Sequence, residues 1–144
     1  MNNLFMYMKI YNIVRKLDNR MKTEGFESIY RQYLTKSVSL PPMRDVTPVE
    51  AAFISKIGPI IDKVCFNFLG KARCLHRSLV GFELFNDRGI PIDLVVGVTK
   101  APFMAHAWLE YKGNVVNDAP ETNKHFFVQF HTGKYRSGKE AVVT

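Results

Sequence analysis

The chain has 144 residues, enough for one domain with a single hydrophobic core. Hydrophobic residues make up 47% and charged residues 23%, which excludes a disordered chain, and two cysteines exclude a disulfide framework. Lys and Arg outnumber Asp and Glu by 20 to 13, a net charge of +7, yet no zinc finger, aromatic-rich sheet signature or helix-turn-helix accompanies it, so charge alone does not indicate nucleic acid.

Leu4 to Met21 has apolar residues at Tyr7, Ile10, Tyr11, Val14, Leu17 and Met21, the spacing of an amphipathic helix. Lys9, Arg15, Lys16, Arg20 and Lys22 make it basic. The apolar run from Leu4 to Val14 is interrupted by Lys9 and Asn12 and falls short of the roughly 20 residues that span a bilayer. With no basic segment before it and no small-residue cleavage site after it, it is not read as a signal peptide. The expectation is a cytoplasmic protein without an integral membrane segment.

A short helix is expected over Phe26 to Leu34, then a connector from Thr35 to Val46 that contains Ser37, Ser39, Pro41 and Pro42. Thr47-Pro48-Val49-Glu50 matches a capping box with proline in the first helical position. The helix that follows carries Phe53, Ile57, Ile60, Val64 and Phe68 as one stripe. Gly58-Pro59 inside it predicts a kink or a break into two helices, and Gly70 predicts its end. Residues 1–46 therefore read as a helical arm with connector, and 47–144 as the main domain.

Cys74 to about Asn86 forms the next helix, with Leu75, Leu79 and Phe82 on its buried face. The remainder is strand-like: Ile92 to Thr99 with period two, Met104 to Glu110, Asn114 to Asp118 and Phe126 to Phe130. Helices followed by an antiparallel sheet indicate an α+β domain.

Three residues in this frame carry acyl-transfer chemistry. Cys74 falls in the first turn of its helix, where unsatisfied N–H groups and the positive dipole end favour a thiolate, and Arg73 adds a cation. Sites of that kind bring a thiol pKa from about 8.5 to roughly 3.5–7.5. Cys65, between Val64 and Phe66, reads as core. Among the histidines, His76 points about 200° away from Cys74 on the same helix. His125 and His131 flank the last strand, whereas His106 lies between Ala105 and Ala107, which leave room for a helix to approach. A three-residue loop of Tyr111, Lys112 and Gly113 sets Glu110 opposite Asn114, Trp108 opposite Val116 and His106 opposite Asp118. A two-residue turn instead sets Ala107 opposite Asp118 and makes Asn117 the alternative orienter of the imidazole.

The string CLHRSL, a helix running into RGIP, a strand ending VGV, then PFMAHAWLE, a glycine and a closing ND resembles the leader peptidase of lasso-peptide biosynthesis, a papain/transglutaminase-like cysteine protease. The resemblance is firm from Thr47 to Asp118 and loose before it. Cys74 and His106 are 32 residues apart, and His106 and Asp118 12 apart, as that family requires. It implies a transglutaminase/papain-like fold with the catalytic cysteine at the start of the central helix, packed on an antiparallel sheet. It places the nucleophile at Cys74, the base at His106 and the carboxylate at Asp118, with no cofactor and no metal. The partners implied are a precursor peptide, a separate leader-binding (PqqD-like) recognition protein and the ATP-dependent lasso cyclase. The short segment before the capping box makes the split form, with leader recognition on another chain, the expectation. One departure is Phe68-Leu69-Gly70-Lys71, where many members carry a proline–tryptophan pair. Acyl transfer to an amine, as in transglutaminases or arylamine N-acetyltransferases, and peptide binding without catalysis are the alternatives.

Overall fold

The computed structural model describes residues 3–69 and 74–136. Four helices precede a four-stranded antiparallel sheet: α1 (Asn3–Glu24), α2 (Phe26–Val38), α3 (Pro48–Leu69), α4 (Cys74–Asp87), β1 (Asp93–Lys100), β2 (Phe103–Tyr111), β3 (Asn114–Val115) and β4 (Phe127–His131). The strand order is β3-β2-β1-β4. The α+β class expected from the pattern is what the chain adopts.

α1 buries Met6, Ile10, Val14 and Leu17, a stripe shifted from the expected tyrosines: Tyr7 is half-buried and Tyr11 is 38% exposed against Phe68. α2 runs one turn further than expected, to Val38, because Ser37 is buried and its hydroxyl donates to Leu34 O at 2.6 Å. α1 and α2 share one continuous hydrophobic core with α3, α4 and the sheet.

The capping box forms as read from the sequence. Glu50 N–H donates to Thr47 Oγ1 at 3.1 Å and Thr47 N–H donates to Glu50 Oε1 at 2.9 Å. Arg44 grips the same carboxylate at 2.8 Å through two nitrogens and donates to Gly89 O, tying the connector to the end of α4. Arg44 and the Thr47 amide together hold the Glu50 carboxyl down at about 2.

The expected break at Gly58-Pro59 does not occur; α3 is a single helix of 22 residues. Proline deprives the carbonyl four residues earlier of its donor. Here that carbonyl belongs to Ser55, which is exposed, as is Pro59, so it is on the solvent side while Ile57, Ile61, Val64 and Cys65 stay buried on the opposite side. The buried stripe accordingly uses Ile61 in place of Ile60. The expected stop at Gly70 lies outside the described residues.

α4 is buried nearly all round and lies on β2, where Ser78 Oγ donates to Ala107 O at 3.0 Å. β1 is buried on both faces from Asp93 to Gly97 and so does not show the half-exposed character that a period-two strand suggests. The face away from α4 is covered by Trp108 and by a buried Arg136, whose guanidinium holds Asp93 at 2.8 Å and Ile92 O at 2.9 Å.

Thr47→Ala should lower unfolding stability by about 0.5–2 kcal/mol, the usual worth of a helix N-cap. Urea titration should show a lower midpoint with an unchanged slope, which separates lost stability from a changed unfolded state.

Candidate active site

Cys74 is the first residue of α4 and is half-buried. It lines a cavity of about 170 Å³ together with His106, Phe26, Leu75, Val96, Ala105 and Ala107. Helix α4 thus presents its N-terminal end, the electropositive end, to the strand that carries the histidine. Arg73, expected to add a cation, lies outside the described residues. Cys65 is fully buried in α3, and burial pushes its thiol up to about 11, so it remains a protonated core group.

His106 Nε2 lies 2.7 Å from Asp118 Oδ2. A carboxylate only accepts, so Nε2 carries the proton and donates, leaving the Nδ1 lone pair as the ring's basic site. The imidazole is held flat by Phe126 and Trp108, whose ring centroids are 5.3 and 5.9 Å away with interplanar angles of 25° and 27°. Gly97 makes this stack fit: a β-carbon there would lie 2.7 Å from Phe126 Cβ and 2.8 Å from the Trp108 ring. Partial burial acts to raise the Asp118 pKa. The hydrogen bonds from His106 and from Ala119 N–H, with the charges of His106 and Arg77, outweigh it and hold the carboxyl below the usual aspartate value.

The pair is made by a different backbone route from the one the hairpin reading supplied. The loop has two residues, Lys112 and Gly113, with φ of 49° and 82°, and the register is Tyr111 opposite Asn114 and Glu110 opposite Val115. Two successive positive φ values are what a two-residue hairpin turn of matching twist needs, and lysine tolerates the first of them here. That register, continued, would carry Ala107 to Asp118 and separate His106 from it. Strand β3 instead ends at Val115, the last backbone bond of the ladder runs from Val116 N–H to Leu109 O at 2.9 Å, and residues 116–118 bend away from strand geometry.

Asn117 controls the bend. Its Oδ1 accepts Leu109 N–H at 2.8 Å, the place of a ladder carbonyl, and its Nδ2 donates to Ser78 Oγ at 3.1 Å. Arg77 donates to Asn117 O at 2.7 Å and pairs with Asp62 at 2.7 Å. Asn117, considered as the alternative orienter, therefore bonds α4 and β2 and not the imidazole. Ser78 and Arg77 were given no role from the sequence, and Phe126 was read only as the start of the last strand. Ser78 alone left a signal there, as a hydroxyl four residues after Cys74 on an otherwise apolar helix face.

The remaining histidines are placed apart from the thiol. His76 is buried and bonds Asp18 at 3.1 Å, joining α4 to α1. His131 lies 3.3 Å from Glu110, and its Nδ1 accepts Gly133 N–H at 3.0 Å. His125 is exposed. Among the described residues no three His, Cys, Asp or Glu side chains converge to hold a metal ion, and no helix is long and apolar enough to cross a membrane.

A family model for the transglutaminase-like superfamily matches residues 17–130. The chain belongs to that superfamily. The match begins within α1 and ends in β4, so it takes in α2, the thiol helix and the histidine strand alike. The chain is also 44% identical over 50 residues to the microcin J25-processing protein McjB of Escherichia coli, a stretch that is 35% of this chain and 24% of that protein. The chain thus spans about a quarter of the length of this curated relative. No solved structure matches the chain. Within this transglutaminase-like chain, the thiol at the start of α4 and the ring of His106 line one cavity.

Asn117→Ala should leave Leu109 N–H without its acceptor in a buried strand. The expected loss is about 1–3 kcal/mol of stability, read by urea unfolding. Exchange of the Leu109 amide with deuterium should quicken in parallel; protection equal to wild type would mean that water replaces the side chain at no cost.

Proposed function

We propose that the protein is a cysteine peptidase that removes the leader from a ribosomally made lasso-peptide precursor, with Cys74 as nucleophile, His106 as base and acid, and Asp118 as orienter. The observation that carries this reading is the 2.7 Å bond from His106 to Asp118 on a ring that shares a cavity with the helix-start thiol. The stretch of identity with McjB supports the class of substrate.

In this mechanism Nδ1 of His106 takes the proton of Cys74 or stabilises the thiolate beside it. The thiolate attacks the last leader carbonyl, and the tetrahedral oxyanion is met by the Cys74 backbone N–H, a first-turn donor without an intrahelical acceptor. Collapse breaks the C–N bond, and the imidazolium gives its proton to the departing core-peptide amine. Water, deprotonated by His106, then attacks the thioester and releases the leader as a free acid, restoring the thiol. Asp118 fixes the tautomer throughout and supports the imidazolium while it exists. The reaction takes place in the cytoplasm, a leader-binding recognition protein raises the effective concentration of the cleavage site, and the freed amine passes to the ATP-dependent cyclase. These three points rest on the resemblance.

Cys74→Ala should abolish precursor cleavage, a loss of about 10⁶ in rate if the nucleophile of other triads is a guide. Asp118→Asn should slow it by up to roughly 10⁴. Mass spectrometry of the products decides hydrolysis, since a free leader acid is expected and a leader–amine adduct would make the protein an acyltransferase. Cleavage by folded Cys74→Ala protein would overturn the reading.

Iodoacetamide should alkylate Cys74 and spare Cys65 at pH 6, where an ordinary thiol with pKa near 8.5 is almost wholly protonated. Peptide mapping reads the site of modification. Alkylation of Cys74 that begins only above pH 8 would remove the case for an activated nucleophile.

A further inference from the structure

Four of the large exposed apolar side chains lie at the starts of β2 and β4. Phe103 is 73% exposed and Phe127 61%, with Met104 at 51% and Val128 at 44%, all at the open end of the sheet. The pairing of Val98 with both Ala105 and Phe127, and of Lys100 with Phe103, puts the two phenylalanines on the face that carries Val96 and Ala107. α4, described from Cys74 onward, lies on that face through Ser78, and Phe103 and Phe127 of the same face are exposed. The cavity that holds Cys74 and His106 lies at this border.

Apart from those two groups its walls among the described residues are hydrocarbon: Phe26, Leu75, Val96, Ala105 and Ala107. Phe26 comes from α2 and is set there by the turn at Gly25, where φ is 82°. Behind it Tyr30 lies 5.8 Å away, and Tyr30 in turn packs on Phe130 at 4.3 Å, so the wall is backed by the core. The volume of about 170 Å³ suits one side chain, since an apolar cavity of roughly 150 Å³ accepts a benzene-sized group.

We propose that this cavity is the specificity pocket for a mid-sized apolar side chain, such as leucine, next to the scissile bond, and that Phe26 sets its size. The inference deepens the peptidase reading and rests on it. Whatever Cys74 attacks must bring its carbonyl to the mouth of this cavity, which places a neighbouring side chain inside. A charged side chain would be stripped of water there, and among the described wall residues only the ring of His106 is polar enough to meet it besides the thiol itself. The apolar end of the sheet carries the adjoining residues of the same extended peptide.

The test uses peptidyl acyloxymethyl ketones that alkylate Cys74, with Ala, Leu, Phe, Asp or Lys beside the reactive carbonyl. Each rate is divided by the iodoacetamide rate of the same protein, which removes differences in thiol reactivity. The Leu reagent should react at least about tenfold faster than the Asp and Lys reagents, in line with the 10–200-fold that one methylene is worth in an apolar pocket. Phe26→Ala should move the preference from Leu to Phe. Ala105→Leu, at an exposed strand position, should fill the pocket and move it to Ala. A flat series in the wild-type protein, or series in both variants that copy the wild type, would overturn the pocket. If Phe103→Ser leaves every rate unchanged but splits a dimer seen in sedimentation, the open end joins two copies of the chain and carries no peptide. Failure of iodoacetamide itself to label Cys74 would instead sink the nucleophile reading beneath it.

Discussion

Leu109 N–H donates to the side chain of Asn117 where a continuing strand would offer a backbone carbonyl, and the arrangement around His106 depends on that exchange of partner. A side-chain acceptor reaches further from its own backbone than a carbonyl does. The chain is therefore free to leave the ladder after Val116, whose N–H still donates to Leu109 O, while β2 keeps its hydrogen bond. The bend that results carries Asp118 across to His106. Ser78 and Arg77 anchor the bend to α4, the helix that begins with Cys74, so one polar network links the element of the thiol to the position of the carboxylate. Thiol, imidazole and carboxylate thus sit on three elements with a shared brace.

Three of the four histidines are paired with carboxylates, so pairing alone does not single out a reactive one. His76–Asp18 fastens α1 to α4, and His131–Glu110 closes the far end of the sheet beside Trp108, whose indole N–H donates to the same Glu110 at 2.7 Å. His106 differs in place: it shares a cavity with the half-buried thiol, and its ring packs against Trp108 and Phe126, so it is oriented by packing as well as by Asp118. The burial of charge on the sheet is similarly local. Asp93 is buried because Arg136 comes to it with several donors, a partnership that satisfies both groups where either alone would be costly.

Much of the local structure was legible in the residues themselves. The capping box at Thr47 was readable because cap and reciprocal carboxylate are three residues apart, and the thiol's place at a helix start followed from the apolar spacing after it. The broken α3 was misread because proline's lost hydrogen bond is costly only where water cannot replace it, and exposure at Ser55 is a property of the packed molecule. The hairpin register was misread because glycine at position 113 suits either loop length; the choice fell to Lys112, which adopts a positive φ and lays its ammonium over Tyr111 while bonding Asp45.

The sequence by itself determined the α+β order of elements, the position of Cys74 at the head of a helix and of His106 within a strand, because periodicity and capping act between residues a few positions apart. Only the tertiary structure decided that Asp118 reaches His106 despite the shifted register, that Asn117 serves the backbone, and that Phe26 closes the cavity beside the thiol. Each of those depends on where a chain leaves its ladder or where a distant helix packs, and such choices are made by contacts between residues far apart in the chain.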